Sequence, residues 1–115
     1  MNVTIYHNPR CSKSRQTLAL LQDRNIEPEI IEYLKTPPDK ATLKSILKKL
    51  GLSARQLMRT GEPAYIENNL DDDSLDEDQL IEAMIANPIL IERPIVLADD
   101  RAAIGRPPES VLDIL

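Results

Sequence analysis

The hydrophobic period of this chain changes twice within its first 33 residues, and that order restricts the topology more than any other feature. Residues 2–6, Asn-Val-Thr-Ile-Tyr, alternate and are rich in β-formers, which predicts a short strand. From Ser12 to Arg24 the spacing suits a helix, with Leu18 and Leu21 on one face and Thr17 and Leu20 beside them, and Asn25 ends it. Residues 28–33, centred on Ile30 and Ile31, read as a second strand. A strand, a helix and a strand in succession imply a parallel pair joined by a crossover. The far end of the chain behaves differently. Ile95–Ala98 and Arg101–Ile104 flank Asp99-Asp100, the pattern of a tight antiparallel hairpin. Gly105 then turns the chain, and Pro107-Pro108-Glu109 starts a final short helix with Val111, Leu112 and Leu115 expected inward.

The middle is helical. Thr36-Pro37-Pro38-Asp39 reads as a helix start with Thr36 as cap and Pro37 in the first turn. Leu43, Ile46, Leu47 and Leu50 form its stripe, and Gly51 stops it. Ser53 to Gln56 opens a further short helix by the same capping logic. Residues 59–73 lack a clear period, although Tyr65, Ile66 and Leu70 support a turn or two of helix. Ser74-Leu75-Asp76-Glu77 reads as another capping box, ahead of a stripe of Leu80, Ile81, Met84 and Ile85 that Asn87-Pro88 terminates. The order β-α-β, helical block, β-β-α predicts an α/β fold with a small mixed sheet.

A length of 115 residues fits a single domain, 1–115, with the helical block inserted at about 37–90. Phe and Trp are absent and Tyr occurs three times, so the core is aliphatic. One core of this size uses up most of the apolar residues, and a monomer is expected. A single cysteine rules out an intramolecular disulfide and suggests a reducing compartment, the cytoplasm. The first residues lack the pattern of a signal peptide, and no apolar run approaches the ~18 residues of a membrane span. Residues 1–60 carry 11 basic and 5 acidic side chains, residues 61–115 carry 3 and 14. The acidic half is a poor nucleic-acid surface, whereas the basic half suits a small anion.

The chemistry converges on Cys11. A lone cysteine is ordinarily an apolar filler, but Cys11 falls between a strand end and a helix start. Helix starts present unpaired N–H groups and the positive end of the dipole, and both favour a thiolate. Arg10 and Arg15 are near in sequence, His7 lies across the loop, and Ser12 and Ser14 add hydroxyl donors. Such a setting also suits an oxyanion. Ser14 stands where a C-x-x-C motif has its resolving thiol, so redox turnover needs a thiol from another molecule. Arg59, Arg93 and Arg106 are further candidates for an oxyanion, although spacing alone does not bring them to Cys11. Pro94, directly before a strand, is a candidate cis proline. One His and scattered carboxylates do not make a zinc site, and Asp71-Asp72-Asp73 lacks the spacing of a calcium loop.

His7-Asn8-Pro9-Arg10-Cys11-Ser12-Lys13-Ser14-Arg15, with Arg93-Pro94-Ile95-Val96 and Ile104-Gly105-Arg106-Pro107-Pro108, resembles the arsenate reductase family that depends on glutathione and glutaredoxin. The likeness runs from Thr4 to about Leu115, and the superfamily includes the Spx-type regulators. It implies a thioredoxin-like fold with an inserted helical block. It implies that Cys11 is the nucleophile toward arsenate, that Arg59, Arg93 and Arg106 hold the oxyanion, that His7 helps lower the cysteine pKa and that Pro94 is cis. It implies no bound cofactor, with glutathione as a co-substrate and glutaredoxin as the partner that resolves the mixed disulfide. At Ser12-Lys13 the chain departs from the Gly-Thr of the reference enzymes, which adds a cation beside the loop. Two other readings follow from the same residues: a non-enzymatic Spx-like regulatory or adaptor protein, and a glutathione-linked thiol-disulfide exchanger.

Overall fold

Four short strands carry the frame on which the loop at Cys11 is mounted. The computed structural model describes residues 2–115. They group into two units, one comprising the residues up to Thr36 together with Arg93–Leu115, the other Pro37–Glu92.

In the first unit, β1 (Val3–Tyr6) leads to α1 (Ser12–Asp23) and β2 (Glu29–Ile31), and β3 (Ile95–Ala98) and β4 (Arg101–Ile104) follow after the second unit. The sheet order is β2-β1-β3-β4. β1 runs parallel to β2 and antiparallel to β3, and β3 is antiparallel to β4. This is the mixed α/β sheet that the order of periods predicts. Alternation places Val3 and Ile5 opposite Ala98 and Val96, and these four enter one aliphatic core with Leu21, Val111 and Ile114. Asn25, with φ 63°, takes the left-handed turn after α1, as an Asn can. The β2 strand is shorter than the predicted 28–33, and Ile30 on it is 47% exposed.

The last segment, Pro108–Ile114, is a 3₁₀ helix, and its buried residues are Pro108, Val111 and Ile114. Leu115, as expected, packs partly buried against the core, whereas Leu112 does not join it and Ile114 takes the inward place. At three residues per turn, positions i, i+3 and i+6 share a face, so the inward stripe steps by three.

The second unit packs α2 (Lys40–Leu50) and α3 (Ala54–Leu57) on α5 (Glu77–Ala86), with α4 (Pro63–Glu67) and a 3₁₀ turn at Pro88–Leu90 beside them. Leu43, Ile46 and Leu47 from α2 and Leu80, Ile81 and Met84 from α5 are buried. Gly51 ends α2 at φ 69°, with its N–H and that of Leu52 returning to the last carbonyls. Two helix starts differ from expectation. Asp39, not Thr36, caps α2 by accepting from Thr42 N–H at 2.7 Å. Pro38 disfavours helical backbone at Pro37, so the helix cannot begin that early. Likewise the capping box of α5 is Asp76 with Gln79, while Ser74 bonds back to Asp72.

Candidate active site

The register of the sheet brings three chain ends to one edge. Tyr6 pairs with Ile95, and Ile95 with Ile104. The loop leaving β1, the residues entering β3 and the turn leaving β4 therefore meet there. They carry Cys11, Arg93 and Arg106.

The loop is built around Asn8, which is buried. Its side-chain oxygen accepts from Arg10 N–H at 3.0 Å, and its carbonyl accepts from Cys11 N–H at 3.0 Å. This Asx turn delivers Cys11 to the N-cap of α1, with φ −91° and ψ 123°. Sulfur thus stands where a Ser or Asp oxygen usually caps. Burial, the largest single influence, opposes its ionisation. The Ser14 N–H, the Arg93 guanidinium and the Lys13 N–H together outweigh burial, and the pKa falls below the ordinary thiol value. Arg106 adds a contact, Nη2 to Sγ at 3.5 Å, and its Nε donates to the Arg93 carbonyl at 2.8 Å. The Arg93–Pro94 peptide is cis, as is Arg106–Pro107. Two guanidinium groups and two helix-start N–H groups thus surround one sulfur.

The other candidates are placed differently. The Ser14 side chain is fully buried. Its hydroxyl oxygen accepts from Asn8 N–H at 3.0 Å and lies 2.6 Å from His7 Nδ1. Burial first, and Arg15 after it, hold the His7 pKa below its ordinary value against the pull of Glu32. His7 is tied to the loop through the Ser14 hydroxyl. Arg15 gives Nη1 to the Pro9 carbonyl at 3.0 Å, and Ser12 is exposed in the first turn of α1. Arg59 belongs to the second unit, where it pairs with Glu62 at 3.2 Å and Glu92 at 2.6 Å. Asn8 is the residue that sequence reasoning missed, although Asn-Pro-Arg-Cys before a helix is an Asx-turn signal. Beside the loop lies a cleft of about 250 Å³ lined by residues 7–10 with Glu32, Leu34 and Lys35. Among the described residues no group of three His, Cys, Asp or Glu side chains is placed to hold a metal, and no helix is long and apolar enough to cross a membrane.

A mixed α/β sheet with an ionisable cysteine at the start of its first helix defines a thioredoxin-like thiol protein. Comparison with known proteins narrows the class. The ArsC family model matches residues 6–114. An arsenate reductase of Haemophilus influenzae is 52% identical over 116 residues, covering 100% of both chains. The uncharacterized protein YfgD of Escherichia coli is 60% identical over 114 residues, covering 98% of this chain and 96% of its own. The solved arsenate reductase from Vibrio cholerae superposes with a TM-score of 0.97 at 52% identity, covering 100% of this chain and 98% of its own. The chain belongs to the ArsC family.

Proposed function

We propose that this protein reduces arsenate to arsenite through a covalent adduct on Cys11, with electrons from glutathione and glutaredoxin. The observation that carries the reading is the convergence of Arg93, Arg106 and the helix-start N–H groups on one thiol of lowered pKa. The same positive surroundings that favour a thiolate suit an approaching oxyanion. Relatives named arsenate reductase at 52% identity supply the choice of oxyanion.

In the proposed sequence the Cys11 thiolate attacks arsenic(V), and one arsenate oxygen leaves as water after protonation. The thiol of glutathione then joins its sulfur to Cys11 sulfur. The electron pair released by the two thiols passes to arsenic, which leaves as arsenite. Glutaredoxin reduces the resulting mixed disulfide by thiol exchange. The donor is external because Cys11 is the only cysteine in the chain. Arg93 and Arg106 hold the oxyanion; Arg59 is the third arginine of the set that the resemblance implies. A cytoplasmic monomer completes the reading.

The test is arsenite formation from arsenate with glutathione and glutaredoxin, comparing the intact protein with Cys11→Ser. Turnover by the intact protein and none by Cys11→Ser is expected. No arsenite from the intact protein, under conditions in which Cys11 still exchanges with a glutathionylated peptide, ends the reductase reading and favours the thiol exchanger.

A further inference from the structure

Gly105 is buried in the turn between β4 and the final 3₁₀ helix. A β-carbon there would collide with Thr17 Oγ1 and lie 2.8 Å from Pro94 Cγ and 3.1 Å from Thr17 Cγ2. Neither neighbour can step aside. Thr17 is fully buried, stiff at χ1, and its hydroxyl donates to the Lys13 carbonyl at 2.8 Å. Pro94 is a closed ring, itself buried. Any side chain at 105 must therefore move the turn.

The turn carries the site. Gly105 N–H donates to the Pro94 carbonyl at 2.9 Å, and Arg106 N–H to the Ile104 carbonyl at 2.9 Å. Arg106 then holds the Arg93 carbonyl with Nε and reaches Cys11 Sγ with Nη2 at 3.5 Å. On the opposite side, Lys13, whose carbonyl fixes Thr17, supplies one of the N–H groups that support the sulfur. Of the two neighbours Thr17 makes the closest approach, through two of its atoms, so the larger part of any displacement is demanded by α1. A shift of the turn away from α1 lengthens the 3.5 Å contact of Arg106 Nη2 with the sulfur.

We propose that Gly105 is a positioning residue for the reaction of Cys11: its missing side chain lets Thr17 of α1 seat against the turn at the separation from which Arg106 and Arg93 both reach Sγ. The proposal rests on Cys11 as the reacting thiol of the reductase reading, and its test makes no use of arsenate. The measurement is the rate of iodoacetamide alkylation of Cys11 against pH, with thermal unfolding alongside, for the intact protein, Gly105→Ala and the double variant Thr17→Ala/Gly105→Ala. In Gly105→Ala the midpoint rises by at least ~0.5 pH unit, which is alkylation about threefold slower on the acid side. The double variant, relieved of both Thr17 contacts, recovers at least half of that shift. A folded Gly105→Ala with the midpoint of the intact protein overturns the proposal, because a purely structural glycine lowers the melting temperature and leaves the thiol unchanged. A double variant no closer to the intact protein than Gly105→Ala overturns it too. Where Gly105→Ala does not fold, the double variant decides: folded with the intact midpoint, it supports the proposal; unfolded, or folded with the midpoint of a free thiol, it overturns it. An intact protein that makes no arsenite yet shows these midpoints keeps the spacing argument and loses only the reductase reading.

Discussion

Replacing Ser14 by Ala separates the two tasks of that residue. Its backbone N–H supports the sulfur of Cys11 and survives the change. Its hydroxyl, fully buried, is the partner of Asn8 N–H at 3.0 Å and of His7 Nδ1 at 2.6 Å. Removing the oxygen leaves two buried polar groups without that partner, each at a cost of about 1–3 kcal/mol. A net loss of roughly 2–4 kcal/mol follows, since some relaxation toward solvent is available in a loop. For 115 residues the unfolding entropy converts each kcal/mol into about 4 °C, so the melting temperature should fall by roughly 8–16 °C. The exposed Ser12, in the same turn, is the control, and Ser12→Ala should stay within about 0.5 kcal/mol. Differential scanning calorimetry gives both numbers, and iodoacetamide alkylation gives the Cys11 midpoint, which should stay in place in Ser14→Ala. If Ser14→Ala melts within about 2 °C of the intact protein, the hydroxyl is not holding the loop. A normal melt combined with a raised KM for arsenate would mean that the hydroxyl faces the oxyanion instead.

Three further outcomes are expected. The His7 pKa lies below the unfolded value near 6.5, so the unfolded chain binds the extra proton first. Stability from this group is complete above about pH 6.5 and falls as pH drops below it, and His7→Gln should remove that slope from urea midpoints. Cys11 has the opposite protonation chemistry but also a lowered folded value, so its contribution grows as pH rises toward the unfolded thiol value and is lost as pH falls. Cys11→Ser should flatten the alkaline side of the stability profile, and parallel profiles would contradict the activation of the thiol. Asp76→Ala removes the cap of α5, which accepts from Gln79 N–H at 2.8 Å, and should cost about 1 kcal/mol in urea unfolding.

Local rules located most of the elements. The hairpin at Asp99-Asp100, the stop at Gly51 and the Ser53 capping box are decided by residues within a few positions of one another. Helix starts were harder where several cap-forming residues crowd together. Thr36 and Asp39, or Ser74 and Asp76, offer the same hydrogen bond, and the backbone restriction imposed by Pro38 or the reach of Gln79 decides between them. The last helix misled because its period is three and not 3.6. At the site, the helix-start sulfur was legible from Cys11 and its neighbours. The partners of the side chains were not. Glu92 meets Arg59 across 33 positions beside an isolated bridge of Met58 with Ile91, and Arg106 meets Cys11 across 95 through the sheet register; no local pattern encodes either pairing. The Ser14 hydroxyl illustrates the same limit at short range, since helical spacing does not say which of two nearby groups it will choose.

The antiparallel pairing of β1 with β3 also has a practical consequence for labelling. At the end of the sheet opposite Cys11, Asn2 and Asp99 exchange hydrogen bonds at 2.9 and 3.0 Å, next to the Asp99-Asp100 turn. Four strand residues separate that end from the site, about 13 Å at 3.3 Å per residue. A fluorophore, affinity handle or spin probe attached at the Asp100 turn therefore rides on the same strands that carry the Cys11 loop, yet stands beyond about 10 Å, the reach of unscreened charge at ordinary salt, from the sulfur.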